Sequence, residues 1–169
     1  MAILEILKYP DPRLKTTAEE VEKIDDKIRE LADNMLETMY AAPGIGLAAT
    51  QVGQPVRLAV VDLHARGEET RSPMVFINPE ILEEEGSDLM EEGCLSVADF
   101  TSEVKRNSRV IVRAEKLDGG AFEIQAEGAL ARALQHEIDH LNGILFIDRI
   151  GPLKRGIYRR KIRKIMRNK

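Results

Sequence analysis

Two histidines four residues apart, His136 and His140, with Glu137 between them, constrain this chain more than any other feature. On a helix such positions lie one turn above each other on one face, so both imidazoles can reach a single divalent metal with the carboxylate beside it. The surrounding stretch, Ala129 to Gly143, is rich in Ala and Leu, contains no proline, and ends at Asn142-Gly143, which suits a left-handed cap. A helix over 129–143 is predicted, and the rest of the chain is read as organised around it.

A catalytic metal needs a third protein ligand and a position left open for water. The chain has 3 histidines and 1 cysteine, so the candidates are Cys94 and His64. A lone cysteine is more often a small buried hydrophobe. Here it sits in Glu91-Glu92-Gly93-Cys94-Leu95-Ser96, where glycine and polar neighbours make a solvent-adjacent thiolate feasible. His64 ranks below it, because Arg66-Gly67-Glu68-Glu69 alongside reads as an exposed polar loop. One thiolate and two imidazoles give a four-coordinate site with an open position and a net charge of about +1.

At 169 residues and 43% hydrophobic, the chain is long enough for one core, and a single domain over 1–169 is expected. No apolar run approaches the ~20 residues of a membrane span. A single cysteine excludes an intramolecular disulfide, which agrees with a reducing compartment, by default the cytoplasm. Charge is uneven. Lys154 to Lys169 holds nine Lys or Arg and no acid, leaving 16 of the 25 basic side chains against all 29 acids in residues 1–153. Ile157, Tyr158, Ile162, Ile165 and Met166 recur near helical spacing in that tail. An amphipathic helix with a cationic face is expected; it suits RNA phosphates, an anionic membrane or the chain's own acidic body.

From the start, Tyr9-Pro10-Asp11-Pro12 reads as an irregular turn. Ile24, Ile28, Leu31, Met35, Leu36 and Met39 then form one apolar helical stripe, with Asp25 or Asp26 as N-cap and Pro43-Gly44 as the stop. Gly44-Ile45-Gly46-Leu47-Ala48-Ala49 matches a dinucleotide fingerprint, but a helix precedes it and a strand follows, the reverse of what nucleotide binding requires. Small residues there point instead to close approach of backbone to a ligand or another element. Val56–Asp62, Met74–Asn78, Ile81–Glu85, Arg109–Leu117 and Phe122–Ala126 read as strands, with Asp118-Gly119-Gly120 as a hairpin turn. With no helical pattern between them, the sheets should be mostly antiparallel and the fold α+β, packed around the metal-binding helix.

Three stretches in this order, Gly44-Ile45-Gly46-Leu47-Ala48-Ala49-Thr50-Gln51, Glu92-Gly93-Cys94-Leu95-Ser96 and Gln135-His136-Glu137-Ile138-Asp139-His140-Leu141, resemble the bacterial peptide deformylases. The Tyr-Pro-Asp-Pro start and the basic C-terminal helix fit as well, so the resemblance spans nearly the whole chain. It implies hydrolysis of the N-formyl group from the formyl-methionine of nascent peptides, releasing formate. It implies Cys94, His136 and His140 as metal ligands and Glu137 as general acid and base. Gln51 and the Leu95 backbone N–H would hold the formyl oxygen. The metal would be Fe²⁺, with Ni²⁺, Co²⁺ or Zn²⁺ able to substitute. Gly44, Ile45, Gly46, Met90, Glu92, Gly93, Ala129, Arg132 and Ala133 would bind substrate. Ala129, Arg132 and Ala133 stand where some members carry bulkier apolar groups. Ala42-Pro43 and Ala98 to Thr101 depart from an acidic residue and a proline-basic pair common elsewhere. Residues 153 to 169 are expected to dock near the ribosomal exit tunnel, with no membrane or DNA partner. Two other readings are a peptidase built on the same His-Glu-x-x-His motif and a non-catalytic metal-stapled module that binds ribosomal RNA.

Overall fold

The computed structural model describes residues 2–65 and 67–168, together with the backbone but not the side chain of Glu68. Arg66, from the polar loop, and Lys169, from the basic tail, lie outside the described residues.

The apolar stripe folds as α1, Asp26–Ala41. Asp25 caps it, its carboxylate accepting from the Ile28 N–H at 3.1 Å. Met35 and Met39 are fully buried, against Leu47, Leu58, Val60 and Ile77. The glycine-rich stretch forms an edge strand, β1 (Gly46–Ala48), followed by a 3₁₀ turn at Ala49–Val52. β1 pairs antiparallel with β2 (Leu58–Val61) in a five-stranded sheet of order β1-β2-β3-β6-β7, where β3 is Met74–Glu85, β6 Arg109–Glu115 and β7 Ala121–Glu127. The adjacent strand pairs are all antiparallel, and the fold is α+β as expected.

Asn78-Pro79 does not break the chain into two strands. Asn78 takes a positive φ of 51°, and the pairing register shifts between Ile77 and Glu80, so β3 bulges and continues. Its side chain accepts from Val21 N–H at 2.8 Å and donates to Val21 C=O at 2.9 Å, which holds the N-terminal segment on the bulge.

A second sheet was not foreseen: the hairpin β4 (Asp88–Cys94) and β5 (Val97–Arg106), with Leu95 and Ser96 at its turn. Several inward positions here are polar, Glu92, Ser102 and Arg106, so the apolar alternation that signals a strand is missing.

Between these elements runs α2, Gly128–Leu141. Ala131, Leu134 and Ile138 pack on Phe76, Val110, Val112 and Ala126 of the large sheet. Gln135 and Asn107 exchange two hydrogen bonds, of 3.1 and 2.8 Å, which ties α2 to the β5–β6 turn. The helix ends as its sequence suggests: Gly143 has φ 74°, and Ile144 N–H returns to Asp139 C=O at 2.9 Å. α3, Pro152–Arg167, inserts only Tyr158 fully, against Tyr9, Phe100 and Phe146, with Ile162 partly covered. Ile157, Ile165 and Met166 remain exposed, so the helix grips the body along a narrow line.

Candidate active site

The cavity-facing side of α2 carries His136, and the next turn brings His140 to the same face, as a four-residue helical spacing allows. The hairpin end supplies Cys94. His140 Nε2 lies 3.2 Å from Cys94 Sγ and 3.2 Å from His136 Nε2, and the three ligand atoms all fall within 4.8 Å of one another. His64 is not part of this group; it lines the outer cavity instead.

These distances fit a metal. Metal–nitrogen bonds of about 2.0–2.1 Å and metal–sulfur bonds of about 2.3 Å give tetrahedral edges of roughly 3.3–3.6 Å. His136 Nδ1 lies 2.9 Å from Glu92 Oε1, and a bond donated there leaves the Nε2 lone pair facing His140. With that lone pair 3.2 Å from His140 Nε2, a metal ion or a proton is needed between the two nitrogens.

Around the ligands lies a buried ionic network. Glu92 accepts from Arg106 Nε at 2.6 Å and Nη2 at 2.9 Å and from Arg132 Nη1 at 2.5 Å, and Arg106 Nη1 reaches Asp139 at 2.7 Å. Asp139 also accepts two bonds from Arg149. Burial works most strongly against ionisation of Glu92, yet hydrogen bonds from His136 and Arg106, and their charge, outweigh it and hold its carboxyl down at about 2. Burial lowers both imidazoles. At His136 hydrogen bonds to Cys94 and Glu92 overcome it and raise the group well above its usual range, whereas at His140 the charge of His136 adds to burial and lowers it further. Because such ligands bind metal in their deprotonated forms, metal and protons compete for this site.

Glu137 points from the same turn. It is buried, and among the described residues its Oε1 has no hydrogen-bond partner. Burial pushes its carboxyl up to about 7, against the charges of His136 and Arg106. Gly46 makes the room: a Cβ there would overlap Oε2 and come within 3.0 Å of the carboxyl carbon. The glycine is thus needed for close approach, and Gly46→Ala displaces Glu137 without blocking the fold. We expect about a 10²-fold or larger fall in kcat at unchanged metal content, since misplacement by about 1 Å has that effect; steady-state rates beside metal analysis check it.

Gln51, 1% exposed, is fixed at both ends of its amide. Its Oε1 accepts from Ala48 N–H at 2.9 Å, so Nε2 faces the ligands, donating to Ser96 Oγ at 3.1 Å and approaching Cys94 Sγ at 3.6 Å. A cavity of about 780 Å³ opens over this floor. Gly44, Ile45, Gly46, Met90, Glu92, Gly93, Leu95, Ala129, Arg132 and Ala133 all line it. Two of these differ in character from the substrate contacts expected: the polar atoms of Glu92 and Arg132 turn into the network, Arg132 also donating to Val104 C=O at 2.9 Å and Asp88 C=O at 3.1 Å. Arg106, Asp139 and Arg149 were not anticipated. Only their side chains' convergence across β5, α2 and the following 3₁₀ turn reveals them, and nothing in local spacing marks it.

A cysteine sulfur and two imidazoles on one point, with a buried carboxyl and an oriented amide under an open cavity, define a mononuclear metal-dependent hydrolase. Comparison with known proteins narrows the class. The polypeptide deformylase family matches residues 3–156. The peptide deformylase of Thermodesulfovibrio yellowstonii is 57% identical over 163 residues, 96% of this chain and 98% of that one. A Legionella pneumophila peptide deformylase crystal structure aligns at TM-score 0.91 and 46% identity, covering 98% of this chain and 96% of that one. One from Ehrlichia chaffeensis in complex with actinonin aligns at 0.90 and 41%, covering 97% and 98%. The chain belongs to the polypeptide deformylase family.

Proposed function

We propose that this chain removes the N-formyl group from the formyl-methionine of newly made proteins, releasing formate, with the residues of the cavity floor in distinct roles. The observation that carries the reading is the Gln51 amide, held with its NH₂ toward Cys94, on the same cavity as Glu137, whose Oε1 has no hydrogen-bond partner among the described residues. Cys94, His136 and His140 would hold a divalent metal, which when bound supplies an acidified water and a Lewis acid. Glu137 accepts the water's proton and afterwards returns it to the departing amine. Gln51 Nε2–H and the Leu95 N–H donate to the formyl oxygen as charge develops there. Ile45, Met90, Ala129 and Ala133 give the methionine side chain an apolar wall. Iron is the native metal in this reading, with nickel, cobalt or zinc able to replace it; affinity order alone would favour zinc over iron. Neither the peptidase nor the RNA-module reading explains why Gln51 is seated against Cys94.

The test is formate release from formyl-Met-Ala-Ser by anaerobically purified, iron-loaded protein. Release confirms the activity, and its absence from folded, metal-loaded protein sinks it.

In the same reading the enzyme works in the cytoplasm, and the cationic face of α3 docks at the ribosome. Deleting all of 153–169 would also remove Tyr158, which closes the core beside Phe146, itself stacked on His136 at 6.3 Å. Deleting 163–169 spares it. That variant should bind ribosomes roughly tenfold or more weakly, with a shallower salt dependence, while hydrolysing free peptide normally; unchanged ribosome affinity in co-sedimentation would rule the docking out.

A further inference from the structure

None of the described residues of the N-terminal segment lines the main cavity, yet three consecutive ones grip the two elements assigned to the formyl oxygen. Leu7 N–H donates to Gln51 C=O at 2.7 Å, Lys8 Nζ donates to Leu95 C=O at 2.6 Å, and Tyr9 N–H donates to Ser96 C=O at 2.8 Å. Gln51 and Ser96 are themselves joined at 3.1 Å. Leu7 and Tyr9 act through backbone, so Lys8 makes the one side-chain link of the three.

We propose that Lys8 is a positioning residue for deformylation, its ammonium holding the Leu95 carbonyl so that the Leu95 N–H faces the formyl oxygen. The inference rests on the reading of Leu95 as a donor. Leu95 and Ser96 alone separate β4 from β5, and a bond to the Leu95 C=O fixes the Leu95–Ser96 peptide plane, against which the preceding peptide, carrying the Leu95 N–H, is set through the Leu95 backbone dihedrals. Donor alignment matters because a hydrogen bond weakens steeply as its angle falls toward about 120°. A charged donor to the carbonyl is stronger than a neutral one, which is why an ammonium is effective from an exposed side chain. Because Lys8 is exposed, its loss leaves the core intact.

The experiment compares wild type, Lys8→Met and Lys8→Arg, iron-loaded for rates on formyl-Met-Ala-Ser and zinc-loaded, hence diamagnetic, for following the Leu95 amide by nuclear magnetic resonance and hydrogen exchange. Lys8→Met should lower kcat roughly tenfold, a fraction of the effect of deleting a whole oxyanion donor, at unchanged KM and metal content. Its Leu95 amide should shift and exchange faster, and Lys8→Arg should restore both readouts. A kcat within about twofold of wild type in Lys8→Met overturns the proposal. So does a joint loss of metal, substrate affinity and rate that arginine does not rescue, since that marks a merely structural role. If wild type releases no formate, the deformylase reading falls, and the Leu95 amide alone then decides whether Lys8 holds the turn.

Discussion

Glu137→Gln should lower kcat for formyl-peptide hydrolysis by about 10²–10⁴-fold, with KM, metal content and fold unchanged. The amide keeps the size of the carboxylate, so it fits the space beside Gly46 and disturbs neither imidazole. It cannot take a proton from water, and it cannot return one to an amine. A carboxyl that burial has pushed up to about 7 suits both halves of that task near neutral pH. The same burial makes a second, independent result expected. Because the folded-state value lies above the carboxyl's ordinary value of 4.5, folding favours the protonated acid, so the wild type loses stability as pH rises from about 4.5 through about 7. Glutamine does not titrate. With metal removed from both proteins, the variant should therefore melt at least as high as wild type, and its advantage should widen across that window. Full activity in metal-loaded Glu137→Gln would remove Glu137 from the mechanism; a melting difference independent of pH would remove the burial argument.

What the sequence discloses depends on whether a residue acts through spacing or through distant convergence. The His136-His140 pair is local, so helical geometry alone predicts its meeting point, and 3.2 Å between the Nε2 atoms follows from a four-residue step. The α1 stripe and its Asp25 cap are local as well. Cys94 was reachable because cysteine is so scarce, although no local rule brings it to α2. The β4–β5 hairpin was not legible, and the reason is physical. Its inward positions interleave Glu92, Ser102 and Arg106 with Val97 and Val104, because part of that face builds the surroundings of His136 and part a core. A strand whose buried face is partly polar hides its own periodicity. Asn78-Pro79 misleads differently: both residues favour turns, but a positive-φ Asn anchored on Val21 lets β3 bulge and run on.

The largest stability loss is expected at Arg106→Met. The Arg106 side chain is 2% exposed and stands between Glu92 and Asp139, donating to both. Removing the cation leaves two buried carboxylates short of a partner, a situation that typically destabilises by about 3–5 kcal/mol. Arg132 and Arg149 still hold one carboxylate each, so the lower end of that range applies, near 3 kcal/mol. For a chain of this size that corresponds to a melting temperature lower by roughly 10 °C. Glu92 also orients His136, so metal affinity should drop by about 10–100-fold, the usual result of disturbing a ligand's outer partner. The pH dependence separates this cause from loss of packing. In wild type the Glu92 carboxyl is held at about 2, below its ordinary value of 4.5, so its contribution is complete above about 4.5 and disappears as pH falls toward about 2. In the variant Glu92 is depressed less and has less to lose. The stability gap should therefore narrow as the pH drops from about 5 toward about 2, measured by denaturant unfolding at each pH. A gap constant with pH would mean that Arg106 acts through the volume of its side chain, and that the ionic link from Asp139 through Arg106 to Glu92 does not steady His136.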